Sequence, residues 1–172
     1  MCDSITNTHR GQRGFTLLEV LIALLILSIG LLGLAALQTI GLRSIQMSFM
    51  RTQAAQLAYD ISDRMRANGP GPGMAHRLYA IETQTAPVRT ANCAMTDCSP
   101  ADMANFDLVI WRAAVGRLPG GRSRITQSVD AATGIIVHTV TVYWNPTRDP
   151  AVTGETCPPV VKTDLRCLQL TV

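Results

Sequence analysis

The chain has 172 residues, a formal net charge of +3 and a hydrophobic content of 47%. This length suits one modest domain plus a membrane anchor, and it excludes two substantial domains. The Lys and Arg residues are scattered, whereas a nucleic-acid-binding groove combines a basic stripe with stacking aromatic residues. Nucleic acid is therefore not expected as the main partner.

A polar N-terminal segment containing Arg10 and Arg13 precedes a long apolar run. From Val20 to Leu42 no side chain is charged, and these 23 residues would form a helix of about 35 Å. Such a helix can span a hydrocarbon core of about 30 Å. Arg10 and Arg13 favour a cytoplasmic N-terminus by the positive-inside rule. The sequence therefore predicts one membrane-spanning helix.

A cleaved secretory signal peptide is the alternative interpretation of this run. Its apolar region is usually shorter, and a small-residue cleavage site follows it, which Ala35-Ala36-Leu37 imitates. Glu19 argues against a signal peptide, because a carboxylate at membrane depth costs about 2.5–3.5 kcal/mol and usually has a partner or a function. Any interpretation of this segment therefore has to explain the charge on Glu19.

The order of residues around Glu19 is specific. Gly14-Phe15-Thr16-Leu17-Leu18-Glu19 follows Arg13 and leads into the apolar run, and this order resembles the class III prepilin signal. The signal is found in the type IV pilin and type II secretion pseudopilin families. The resemblance implies that a prepilin peptidase, which is also a methyltransferase, cuts after Gly14 and methylates the new N-terminus at Phe15. The leader would comprise residues 1–14, and the apolar helix would remain in the bacterial inner membrane.

The resemblance also gives Glu19 a role in assembly. Cleavage leaves a positively charged amine on Phe15, which the Glu19 carboxylate of a neighbouring subunit can meet when the helices stack in parallel. In apolar surroundings this salt bridge offsets the cost of desolvating both charges and sets the axial register. The alternative is that the Glu19 side chain only reaches to the membrane interface.

The helix is expected to continue beyond the anchor as an amphipathic segment over residues 43–68. Apolar residues recur there every three or four positions, which predicts one face packed in a core. This stripe consists of Ala54, Leu57, Ala58, Ile61 and Met65. The repeat Gly69-Pro70-Gly71-Pro72-Gly73 is expected to end the helix. A helix over residues 15–68 would be about 81 Å long.

A second, shorter helix is predicted to begin at Ser99-Pro100-Ala101-Asp102. This segment combines a capping Ser, a Pro at the first helical position and an acid three residues after the cap. Leu118-Pro119-Gly120-Gly121 is expected to form the turn that ends it. Met103, Phe106, Ile110 and Ala114 would form one face of this helix, with Trp111 and Arg112 at its margin.

Three strand-like runs follow, over residues 124–129, residues 134–144 and the alternating Leu168, Leu170 and Val172. His138 is interpreted as a sheet residue and not as a catalytic base. The predicted fold class is α+β: a long N-terminal helix, membrane-spanning in its first half, packs on a small antiparallel β-sheet head. The pilin family implies the same lollipop shape. The head would comprise residues 69–172 and the transmembrane assembly helix residues 15–42.

Four cysteines follow the anchor and would face an oxidising compartment, where disulfides form. Three connectivities are possible, and we favour Cys93–Cys98 and Cys157–Cys167 because each pair closes a short local loop. Free thiols or a zinc site are the alternatives, but zinc sites favour C-x2-C spacing or nearby His ligands. No metal and no cofactor are expected.

The CAMTDC segment, the following helix and the LPGG turn are similar in layout to PilV-type minor pilins. This resemblance implies a minor pilin that helps to initiate or cap a type IV pilus, with a periplasmic head before assembly and an extracellular one afterwards. Its partners would be the prepilin peptidase, other minor and major pilins, a tip adhesin and inner-membrane lipid. A type II secretion pseudopilin and a membrane-tethered periplasmic enzyme are the alternatives, and no catalytic motif supports an enzyme.

Overall fold

The computed structural model of the protein describes residues 14–68, 76–82, 84–85 and 87–172. The chain divides into two compact units, of which the first ends at Ser44 and the second runs from Ile45 to Val172. The elements, in chain order, are helix α1 (Leu17–Ala67), a 3-10 helix (His76–Tyr79), helix α2 (Pro100–Val115), and strands β1 (Arg122–Val129), β2 (Ile136–Trp144) and β3 (Arg166–Thr171).

The first unit contains the apolar part of α1. Its large apolar side chains are exposed, and by length and composition α1 can cross a membrane. Two hydroxyl groups in this part bond within the helix itself: Ser28 donates to the Leu24 carbonyl at 2.7 Å, and Thr39 donates to the Ala35 carbonyl at 3.0 Å. Hydrocarbon offers no hydrogen-bond partners, so polar groups there must find partners within the protein. These two hydroxyls find theirs in their own helix.

In the second unit, α1 contributes one face to the core of the head. Ala54, Ala58, Ile61 and Met65 are buried and Leu57 is partly buried, which confirms the predicted stripe. The helix ends at Ala67, close to the predicted boundary. The Gly-Pro repeat expected to end it, residues 69–73, lies outside the described residues.

The three strands form one antiparallel sheet in the order β1-β2-β3. Val140 in the central strand lies opposite Ile125 on one side and Leu170 on the other. A long N-terminal helix packed against this small sheet confirms the predicted α+β class. The boundaries shift by about two residues, since β1 begins at Arg122 and β2 at Ile136.

Helix α2 begins as predicted, with the Ser99 hydroxyl accepting the Asp102 N–H at 3.2 Å. The face predicted from Met103 to Ala114 is not the face that is buried. Trp111 is fully buried in the core instead of marginal, and its indole N–H donates to the Leu57 carbonyl at 2.8 Å. Helix α2 is therefore rotated, so that of the four predicted positions only Phe106 is buried. The buried residues are Ala104, Phe106, Asp107, Leu108, Trp111 and Val115.

Both faces of the central strand are covered. Val140 and Val142 belong to the core formed with the helices, whereas Thr141 and Tyr143 point to the opposite face and are also buried. The long loop between β2 and β3 returns to this second face, where its Glu155 makes salt bridges to β1. The bridges join Glu155 to Arg122 at 2.8 Å and to Arg124 at 2.9 Å. The loop thus covers the second, polar face of this sheet, whereas antiparallel sheets commonly have one face exposed to solvent.

Candidate processing and assembly site

The predicted cleavage site lies just before the first helix. Gly14, Phe15 and Thr16 have no regular secondary structure, and α1 begins at Leu17. Gly14 is exposed, a Cβ at this position would have no heavy atom within 4 Å, and the Phe15 side chain is 83% exposed. Gly14 and Phe15 are thus both exposed. The rest of the predicted leader, including Arg10 and Arg13, lies outside the described residues.

Thr16 caps the helix, which the sequence analysis missed. Its carbonyl accepts the Glu19 N–H at 3.0 Å, and its hydroxyl accepts the same N–H at 3.3 Å. The signal for this cap was present, because Thr16 and Glu19 have the spacing of a capping box. The cap fixes the start of α1 at Leu17, and so places Glu19 in its first turn.

Glu19 is exposed, and its carboxylate has no hydrogen bond or ion pair with a described residue. The first turn of a helix carries the positive end of the helix dipole, which stabilises a carboxylate there. The dipole is a partial charge, however, and does not replace a full cationic partner in hydrocarbon. Within the part of the chain that the structure describes, the carboxylate therefore has the helix dipole but no cationic partner.

The head carries two disulfides, Cys93–Cys98 and Cys157–Cys167. The first lies directly before the cap of α2, where the Asp102 carboxylate accepts hydrogen bonds from the hydroxyls of Ser99 at 2.6 Å and Thr90 at 3.1 Å. The bond from Ser99, followed by that from Thr90, lowers the pKa of Asp102. The acid therefore stays ionised at the positive end of the α2 dipole.

The second disulfide joins the loop after β2 to strand β3. Within this loop the Asp164 carboxylate accepts the N–H groups of Val160 at 2.8 Å and Val161 at 3.0 Å. Both valine side chains are exposed, at 76% and 57%. The disulfide and the buried carboxylate thus hold a short apolar segment at the surface.

A buried polar cluster joins α1, the 3-10 helix and α2. Arg64 donates to Asp107 at 3.0 Å, the Tyr79 hydroxyl donates to Asp107 at 2.7 Å, and Asn68 donates to the Tyr79 hydroxyl at 3.0 Å. Burial, together with the bond to Asp107, raises the pKa of Tyr79. Sequence reasoning missed this cluster because Asp107, on which it centres, lies 28 residues after Tyr79 and 43 after Arg64.

Metal ligands do not gather in the part of the chain that the structure describes, where no three His, Cys, Asp or Glu side chains are placed to hold an ion. His138 lies on β2 and is buried within the sheet.

Comparison with known proteins gives two matches to family models. The prokaryotic N-terminal methylation motif matches residues 9–35, which include Gly14, Phe15 and Glu19. The model described as type IV pilin Tt1218 matches residues 36–109, which extend from the second half of the apolar run into α2. No curated protein and no solved structure matches the chain.

Proposed function

We propose, from the premise that the chain is a type IV pilin-like protein, that it is a minor pilin that primes or caps a type IV pilus. The prepilin peptidase removes residues 1–14 on the cytoplasmic side and methylates Phe15. Residues 15–42 anchor the mature chain in the inner membrane, residues 43–68 continue the helix, and residues 69–172 form the periplasmic head. The chain acts as a structural subunit and not as an enzyme.

One observation carries the proposal: Glu19 lies in the first turn of an apolar helix without a partner among the described residues, directly after an accessible Gly14–Phe15 bond. Cutting this bond creates an amine on Phe15, and methylation leaves that amine positively charged. Within one fibre, the amine of one subunit and the carboxylate of the next neutralise each other. A carboxylate left unpaired in the same apolar surroundings is strongly disfavoured.

The salt bridge supplies register and the apolar helices supply the contact area. Helices in contact across a fibre gain van der Waals energy at many relative heights, because apolar side chains repeat along the whole anchor. A single buried ion pair favours one of these heights, in the same way that one polar residue fixes the register of a coiled coil. Glu19 therefore selects where a subunit docks along its neighbour.

The head has the disulfides expected of a domain in an oxidising compartment. Two disulfides close surface loops, and the second holds Val160 and Val161 exposed to solvent. Disulfides form and persist both in the bacterial periplasm and outside the cell, so they suit a head on the outer side of the inner membrane in either kind of fibre. The same prepilin signal occurs in type II secretion pseudopilins, so a pseudopilin is the second candidate function.

The test compares Glu19→Ala with Glu82→Ala, which removes an exposed carboxylate from the head. We expect both variants to insert into the inner membrane at wild-type levels. Only Glu19→Ala should be depleted from fibres sheared off the cell surface, by tenfold or more if about 1.4 kcal/mol of docking energy is lost. Equal incorporation of the two variants would contradict the assigned role of Glu19. A wild-type chain that never reaches surface fibres, and stays in a periplasmic pseudopilus, would favour the second candidate.

A further inference from the structure

Gln38 is the one amide side chain in the charge-free run from Val20 to Leu42. The hydroxyls of Ser28 and Thr39 in the same run are satisfied, because each bonds to a carbonyl of its own helix. The Gln38 amide is exposed and makes no hydrogen bond to any residue that the structure describes. An amide transferred to an apolar environment without a partner is costly.

The free-energy cost of leaving the Gln38 amide without a partner differs between the membrane and the fibre. It lies 19 residues after Glu19, which corresponds to about 28 Å along a helix. In a bilayer with Glu19 near one interface, the amide reaches the opposite interface, where water and lipid headgroups can satisfy it. Surrounded by the helices of a fibre, the same amide has no water and needs a partner on a neighbouring helix.

The side of the helix that carries Gln38 is suited to such a partner. Ala35 and Gly41 lie three residues before and after it and therefore share its face. A Cβ at Gly41 would meet no heavy atom within 4 Å in the structure. Small residues at these spacings allow a second helix to come close, and glutamine side chains commonly bond across such contacts.

We propose that Gln38 is an inter-subunit contact whose amide hydrogen-bonds to the long helix of a neighbouring pilin in the fibre. The partner group is a main-chain carbonyl or a polar side chain of that helix. This inference rests on the proposed function, and it adds a second fixed point to the anchor beyond the Glu19 salt bridge. The two contacts lie near opposite ends of the apolar run, so that together they restrain both the height and the rotation of a docked subunit.

The first test measures the ratio of fibre-bound to membrane-bound protein for Gln38→Leu. Leucine keeps the volume and the helix propensity but removes the amide, so membrane insertion is expected to be unchanged. We expect a fall in the ratio of about fivefold, the effect of one interhelical hydrogen bond. The matched control is Thr39→Val, which removes a hydroxyl already bonded within its own helix and should leave the ratio unchanged. A Gln38→Leu ratio equal to that of the wild type would overturn the proposal.

A second measurement separates this inference from the proposed function. A photo-crosslinking residue is placed at position 38 or at position 40, which faces the opposite side of the helix two residues further on, and the adducts are identified by mass spectrometry. Adducts to the apolar helix of a pilin that are several-fold more abundant from position 38 than from position 40 support the contact. Equal yields, or none, would overturn it. Absence of the wild-type chain from fibres would overturn the proposed function and this inference with it, whereas a wild-type chain present in fibres with equal yields from the two positions would overturn the Gln38 contact alone.

Discussion

Nη1 of Arg64 lies 3.0 Å from Oδ1 of Asp107, and this contact joins helix α1 to helix α2 across 43 residues of sequence. The Asp107 carboxylate is buried and also accepts the Tyr79 hydroxyl at 2.7 Å, so three separate segments of the head meet at one acid. An acid in this position determines how the second half of α1 and helix α2 are oriented against each other.

Replacement of Asp107 by Ala is therefore expected to lower the free energy of unfolding by about 2–3 kcal/mol. It leaves the buried Tyr79 hydroxyl without its acceptor and removes one of the two carboxylates that Arg64 contacts, since the pair of Arg64 with Asp60 at 3.0 Å remains. Urea unfolding of the full chain in detergent micelles, followed by the fluorescence of Trp111 and Trp144, measures the loss. The control is Asp63→Ala, whose pair with Arg66 is exposed on both sides and should cost no more than about 0.5 kcal/mol. A loss no greater than that of the control would contradict the role of Asp107.

The same cluster predicts a loss of stability in alkali. Burial and the bond to Asp107 raise the pKa of Tyr79 above its ordinary value of 10.0, so the folded chain holds this proton more tightly than the unfolded chain. The corresponding stability is complete below about pH 10 and is lost as the pH rises further.

The variant Tyr79→Phe should show a smaller decline in its urea midpoint between about pH 9 and pH 11 than the wild type. The decline should not vanish, because burial also raises the pKa of Tyr143. Parallel pH profiles for the wild type and Tyr79→Phe would show that Tyr79 contributes nothing to the alkaline transition.

The two disulfides are expected to stabilise the head unequally. Cys157–Cys167 spans 10 residues of sequence and Cys93–Cys98 spans 5. In the chain-entropy model the longer loop gives the larger effect, about 3 kcal/mol against about 2 kcal/mol. Urea unfolding of the paired serine variants Cys157→Ser/Cys167→Ser and Cys93→Ser/Cys98→Ser tests this order. The reverse order would show that strain or residual structure outweighs loop length.

Two glycines near the end of α2 should respond oppositely to alanine. A Cβ on Gly121 would collide with the main-chain carbonyl of Val115, which cannot move aside without shifting the helix end. We expect Gly121→Ala to cost about 2–3 kcal/mol in urea unfolding. Gly116 has a helical φ of −61°, and its Cβ would lie 3.4 Å from the nearest atom. Gly116→Ala should therefore leave stability unchanged or raise it by up to about 1 kcal/mol, and equal losses in both variants would contradict this account.

Local patterns predicted the elements of the fold. The apolar stripe from Ala54 to Met65 predicted the buried face of α1, and the Ser99 cap predicted the start of α2 within one residue. The prepilin signal likewise depends on residues that are adjacent in the chain. What local patterns did not predict is the rotation of α2, because the bond from Trp111 to Leu57 joins segments 54 residues apart. The burial of Tyr143 beneath the loop that contains Glu155 likewise depends on residues that are distant in the sequence.

The central claim is that the chain is cut between Gly14 and Phe15 and that the new amine is methylated. Mass spectrometry of the chain purified from bacterial membranes that contain a prepilin peptidase tests this claim most directly, with Gly14→Ala as the control that should remain uncut. The account predicts a wild-type N-terminus at N-methylated Phe15. A wild-type chain that retains its first 14 residues in the presence of the active peptidase would contradict it.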